Sequence, residues 1–187
     1  DNEVFGNDIL IKQENPDSDA EAFAFYIGNS RGGNIYNNKI TTNVTPIWVA
    51  SSYGKAENTR LTGNRINKAE NTLQNFRPIR MGSLEQPDYL AIGTEFRSNE
   101  LTGLDFGVDA TSQHHSYSVY WTLTINLYDK QHRALKGIEI NVLDRNGNKV
   151  LNQMSDSKGC LRVELPEYLV DGDEEKYLSP YTIIAGK

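Results

Sequence analysis

The sequence predicts an all-β chain in two parts: a short parallel solenoid of about four coils, then a small antiparallel β-sandwich. Three observations carry this expectation. A strand-bend motif built on asparagine recurs four times between residues 4 and 103. A second motif, of strictly alternating apolar residues, recurs four times between 25 and 107. From Tyr117 onward both give way to long alternating strands separated by Gly-containing turns.

The first motif is "VFGNDILI" (4–11), "IYNNKITT" (35–42), "LTGNRINK" (61–68) and "FRSNELTG" (96–103). Each copy places an asparagine (Asn7, Asn38, Asn64, Asn99) two residues before an aliphatic one (Ile9, Ile40, Ile66, Leu101). The second motif is "FYIG" (25–28), "IWVA" (47–50), "IRMG" (79–82) and "LDFG" (104–107). Side chains alternate across a strand, so Phe25, Ile47, Ile79 and Leu104 share one face with Ile27, Val49, Met81 and Phe106. The segments are too short, too β-branched and too often interrupted by Gly and Asn for helices. Regular strand motifs joined by connections of variable length predict strands that stack coil upon coil, roughly 4.8 Å apart, with matching residues in ladders. Asparagine suits the bends, because it tolerates left-handed backbone angles and its amide can bond the next asparagine in a ladder.

The string "NIYNNKITT…PIWVASS…NTRLTGNRI" resembles the repeat of right-handed parallel β-helix proteins, the group that includes pectate lyases and other polysaccharide-active proteins. The resemblance covers residues 1 to about 110 and sets a first domain at 1–112. The first motif begins almost at residue 4 without a capping segment, so this part is expected to be the N-terminally truncated, C-terminal portion of a longer β-helix.

The second domain is expected at 117–187, after the polar stretch "DATSQHHSYS" (109–118). Its strands are "YSVYWTLTINLYD" (117–129), "GIEINVLD" (137–144), "KVLNQMS" (149–155), "CLRVELP" (160–166) and "YTII" (181–184). The Asn-Gly turn of "RNGN" (145–148) between alternating strands is a strong hairpin signal. The string "ALKGIEINVLDRNGNKV…SDSKGCLRVELP" resembles the carboxypeptidase-regulatory-like (transthyretin-like) β-sandwich, a module often used as a spacer or adhesive unit in secreted proteins.

Composition narrows the function. The net charge is −6, with 15 acidic against 10 basic residues up to position 116 and 10 against 9 after it. Neither part has the basic excess of a nucleic-acid binder. No apolar run approaches the roughly 20 residues that span a bilayer, so membrane insertion is not expected. The single cysteine, Cys160, reads as a buried, inert thiol. His114 and His115 face opposite ways in an extended segment and read as linker histidines without metal-ligand spacing. "DRNGN" (144–148) reads as a hairpin turn, since Ser155 stands where a calcium loop would need glutamate. No metal site or cofactor is expected.

For a functional surface, the outward positions of the second motif are the place to look. Tyr26, Trp48, Arg80 and Asp105 would form one stripe, with Arg77 adding charge nearby. Aromatic rings stack on sugar faces and arginine pairs with uronate carboxylates. The same column is equally explained by solvated side chains, or by cover from loops 12–23 and 84–94. No complete catalytic site is expected. The resemblance implies a secreted, periplasmic or cell-surface scaffold for binding or processing polysaccharide, possibly one containing uronates. The alternatives are a non-catalytic adhesin-like stalk, or a lyase or hydrolase whose catalytic coils precede residue 1.

Overall fold

The computed structural model describes residues 2–14, 22–72, 77–111 and 114–186. The chain divides into two compact units, Asp1–Ser118 with Val170–Glu174, and Val119–Leu169 with Glu175–Lys187. Among the described residues every regular element is a β-strand.

The first unit is a parallel solenoid. A coil runs through four short strands, as in Asn34–Tyr36, Lys39–Thr42, Ile47–Val49 and Ala56–Glu57. Equivalent strands of successive coils pair in parallel: Asp8–Ile11, Lys39–Thr42, Arg65–Lys68 and Glu100–Thr102 form one four-stranded sheet. In that sheet Ile9, Ile40, Ile66 and Leu101 stand in register. Ile35, Leu61 and Phe96 fill the interior from the neighbouring sheet. Ile47, Val49, Ile79 and Met81 fill it from a third. The fourth sheet contributes small residues in register, Ser30, Ala56 and Ala91, the two alanines wholly buried.

The asparagine ladder forms as the spacing predicts. Asn7 Nδ2 donates to Asn38 Oδ1 at 2.9 Å, Asn38 Nδ2 to Asn64 Oδ1 at 2.9 Å, and Asn64 Nδ2 to Asn99 Oδ1 at 3.0 Å. Each of those oxygens also accepts the main-chain N–H of the asparagine one coil earlier, at 3.0 Å. One expectation about these bends is corrected. The residue in the left-handed conformation is the one before each ladder asparagine: Gly6, Asn37, Gly63 and Ser98, with φ of 69°, 55°, 60° and 48°. The turn is made one residue early, which leaves the ladder asparagine free to aim its amide along the stack.

The fourth copy of the second motif is also corrected. Ile79, Arg80 and Met81 pair with Val108, Asp109 and Ala110, so "LDFG" (104–107) is connection, not strand. Phe106 turns against Phe96, ring centroids 5.3 Å apart, which adds apolar contact to an interior residue. Asp105 is exposed and lies outside the strand column.

The second unit holds an antiparallel sheet in the order Lys149–Met154, Glu139–Leu143, Thr182–Gly186. Its inward residues Ile140 and Val142 pack with Leu161 and Leu165 of the long strand Cys160–Asp171. Leu123 and Ile125, from Ser116–Asn126, close the same core. Cys160 is half-buried and free, less enclosed than its strand position suggested.

Candidate functional site

Tyr26, Trp48 and Arg80 do stand in one column of the third sheet, in consecutive coils. Asp109, not Asp105, continues it. The column is a layered stack rather than an open stripe. Trp48 is 4% exposed and its Nε1–H donates to the carbonyl of Gly82 at 2.8 Å, which satisfies the one polar atom of the indole. The Arg80 guanidinium carbon lies 4.0 Å from the Trp48 ring centroid, a cation–π contact worth about 0.5–2 kcal/mol. Phe23 packs on Trp48 with centroids 5.2 Å apart, and Tyr26 meets it edge-on at 4.9 Å. Loop 12–23 therefore contributes cover through Phe23; its residues 15–21 lie outside the described set.

What reaches solvent is a tyrosine pair. Tyr26 is 38% exposed and Tyr53, from the connection after the Ile47–Val49 strand, is 75% exposed. Their rings meet edge to face at 5.2 Å, and the Tyr26 hydroxyl is hydrogen-bonded to Ser52 Oγ. Gly28 and Gly54 permit this approach, because a Cβ at Gly28 would stand 2.6 Å from Ser51 Oγ and 3.1 Å from Tyr53 Cβ. Arg77 is exposed and lies across Gly107, where a Cβ would come within 2.6 Å of its Cδ. Tyr53 and Phe23 were missed in the sequence because both sit in connections, where alternation says nothing. The aromatic of "SSYG" so soon after "IWVA" was the available signal.

His115 is corrected from a linker residue to a buried one, 2% exposed. Its Nδ1 accepts the Ala91 N–H at 3.0 Å, so the ring proton is on Nε2, 2.9 Å from Thr111 Oγ1. One coil earlier the same N–H, that of Ala56, goes to the main-chain carbonyl of Leu90. Gly93 N–H likewise goes to Ser116 Oγ, where Asn58 N–H goes to the carbonyl of Ile92. Side chains thus replace the carbonyls of a next coil, and His115 with Ser116 caps that end of the fourth sheet. Burial pushes the imidazole pKa below its ordinary value.

Among the described residues no three His, Cys, Asp or Glu side chains converge on a metal site. In the second unit Asp144 closes the 144–148 turn, accepting the N–H groups of Asn146 and Asn148 at 2.8 and 2.9 Å.

Fold and site together define a parallel β-solenoid joined to an antiparallel β-sheet unit. No family model matches the chain, and neither the curated proteins nor the solved structures give a significant match to it.

Proposed function

We propose that this chain is the scaffold part of a secreted or cell-surface right-handed β-helix protein that binds or processes polysaccharide. In this reading the solenoid is pectate-lyase-like and its companion is a carboxypeptidase-regulatory-like sandwich. The sugar-facing surface is the Tyr26–Tyr53 pair. Trp48 and Arg80 are the layer beneath, holding the tyrosines rather than touching glycan. The observation that carries this is the contrast in exposure within one aromatic cluster: 75% for Tyr53 against 4% for Trp48. An exposed ring fixed edge to face by a neighbour loses little freedom on binding and offers a flat apolar face to sugar C–H groups.

Affinity electrophoresis against neutral and uronate polymers tests it. Tyr53→Ala is expected to abolish retardation while leaving the melting temperature within a few degrees. Trp48→Ala is expected to destabilise the solenoid by about 3–5 kcal/mol, as loss of a buried aromatic does. Retardation by no polymer, or retardation untouched by Tyr53→Ala and Tyr26→Ala together, overturns the reading. The adhesin-like stalk then gains. Its support is the outward rows of inter-coil ion pairs, such as Lys39–Asp8 at 3.0 Å and Arg65–Glu100 at 2.6 Å.

A further inference from the structure

One carboxylate of the second unit stands where the strand pattern calls for an apolar side chain. Along Cys160–Asp171 the residues Leu161, Val163 and Leu165 pack into the core, and alternation puts Glu167 on the same face. On the neighbouring strand, Ser116–Asn126, Leu123 and Ile125 pack into that core, and Trp121 precedes them on the same face. The two polar ends meet, since the Trp121 Nε1–H donates to Glu167 Oε2. Among the described residues that indole is the only hydrogen-bond donor to the carboxylate, and no lysine or arginine pairs with it. Lys176 acts on Asp144 instead, and Arg145 meets this segment through its main-chain N–H, bonded to the Leu178 carbonyl at 3.0 Å.

A cavity of about 190 Å³ opens beside this pair. Leu123 and Leu165 line it with apolar surface, Trp121 and Tyr181 with aromatic surface, and Glu167 and Ser179 with polar atoms. Its lining is held in place. The Tyr181 hydroxyl donates to the Pro166 carbonyl, and the Glu167 carbonyl accepts the N–H groups of Leu178 and Ser179 at 2.8 and 3.2 Å. The local charge is negative. The Tyr177 hydroxyl is pushed above its ordinary pKa by its bond to Glu175 first, then by burial and by the charges of Glu175 and Glu167.

The geometry points to a binding site for one primary alkylammonium group, with Glu167 as its counter-ion and Trp121 and Tyr181 as its aromatic walls. A carboxylate without a cation, set beside two aromatic rings, favours an organic cation over a neutral ligand. The indole occupies Oε2 and leaves Oε1. That suits the point charge of an ammonium and not a guanidinium, which pairs best with both oxygens. The volume lies below the roughly 300–1,000 Å³ of pockets for whole drug-sized ligands, so it takes one unbranched group of side-chain size rather than a sugar ring. A lysine side chain on a partner and a free alkylamine share this chemistry. The site lies in the other unit from the tyrosine pair, and it stands whether or not that pair binds glycan.

The Trp121 indole N–H reports on the site, and the Trp48 indole, in the first unit, serves as internal reference. In proton–nitrogen correlation NMR of the full chain, n-butylammonium is expected to shift the Trp121 indole resonance saturably and leave that of Trp48 in place. Ethylguanidinium is expected to bind more weakly, and n-butanol, which keeps the chain without the charge, more weakly still. Glu167→Gln keeps an oxygen for the indole and loses the charge, so affinity is expected to fall about tenfold or more. Glu175→Gln, outside the cavity lining, is expected to leave affinity largely unchanged. Absence of a saturable shift overturns the proposal. Equal affinity for n-butanol overturns it as well, because the cavity would then be an apolar hollow. An equal loss in Glu175→Gln also overturns it, by showing a diffuse negative field rather than a site. The source is read by comparing a blocked lysine, acetyl-lysine methylamide, with n-butylammonium. Tighter binding of the blocked lysine assigns the site to a partner's side chain, and its exclusion while n-butylammonium binds assigns the site to a free amine.

Discussion

The two units close their turns by opposite means. In the solenoid the bend is held by a residue in another coil: Asn38 to Asn64 and Asn64 to Asn99 join positions 26 and 35 apart. In the sandwich a carboxylate holds its own turn. Asp129, Asp144 and Asp156 each accept main-chain N–H groups two and four residues on, at 2.8–2.9 Å. The first device works only once neighbouring coils are stacked, so each bend is hostage to the next. The second is local, since donor and acceptor lie within four residues of one another. The amide ladder does not titrate, whereas the aspartate turns do.

The largest test of this contrast is Asn64→Ala. Asn64 is 1% exposed and bonds in both directions along the stack. Truncation orphans the Asn38 N–H, takes one of three acceptors from Asn38 Nδ2, and removes the Asn64 donor to the Ile35 carbonyl. Each buried orphan costs roughly 1–3 kcal/mol, and such losses overlap, so about 3–5 kcal/mol is expected from urea or thermal unfolding. A loss below about 1 kcal/mol breaks the comparison, since the ladder would then be decoration on well-packed strands.

Acid sharpens it next. His115 holds Ala91 N–H only as neutral imidazole, and its folded pKa is lowered by burial. As pH falls below the ordinary histidine value of about 6.5, the unfolded chain takes up the proton first. The stabilising contribution is therefore complete above that value and is lost as pH falls towards the lower folded pKa. The protection factor of the Ala91 amide, its exchange corrected for the intrinsic slowing of all amides in acid, is expected to fall in mildly acidic buffer, with the protection factors of the sandwich amides unchanged. In His115→Gln that fall should vanish, because the amide oxygen accepts without titrating. An identical fall in that variant would show that the cap does not depend on the imidazole.

How much of this was legible in the sequence divides along the same line. Whatever repeats in register could be read. The ladder asparagines and the Ile40, Ile47 and Val49 interior follow from spacing, because stacking imposes the same side-chain direction at each level. The fourth strand was misplaced because "LDFG" matches the alternating pattern better than "VDA" does. The corner length could have corrected it. Between Thr42 and Ile47 the chain uses 43–46, and a strand from Leu104 would have left only Gly103 after Thr102. What lay in connections could not be read at all: Phe23, Tyr53 and His115 owe their partners to chain paths that alternation does not encode. Trp48 was correctly placed on the outward column, but outward on a strand is not exposed when a neighbouring loop and an arginine close over it.

The smallest effect belongs to the sandwich turns, and it is the one that tests locality itself. The side-chain hydrogen bond from Asn148, with the N–H groups of the turn, holds the Asp144 carboxyl below the usual aspartate range. The N–H groups of Cys160 and Lys158 do the same for Asp156. A lowered folded pKa means stability present above the ordinary value of about 3.9 and lost as pH falls through the folded one. The sandwich should therefore hold through the range in which the His115 cap loosens, and weaken only in stronger acid. Asp144→Asn keeps an acceptor oxygen and loses the charge, so it is expected to lower the sandwich melting temperature slightly at neutral pH and to flatten its acid dependence. Asp144→Ala removes the acceptor and should cost more, yet less than Asn64→Ala costs the solenoid, because solvent can reach the exposed N–H groups of the turn and cannot reach those of the ladder. Scanning calorimetry of both variants from neutral to acid pH decides it. A drop for Asp144→Ala as large as that for Asn64→Ala would mean that the turn holds the sheet from a distance, and that the sandwich is no more local in its construction than the coils.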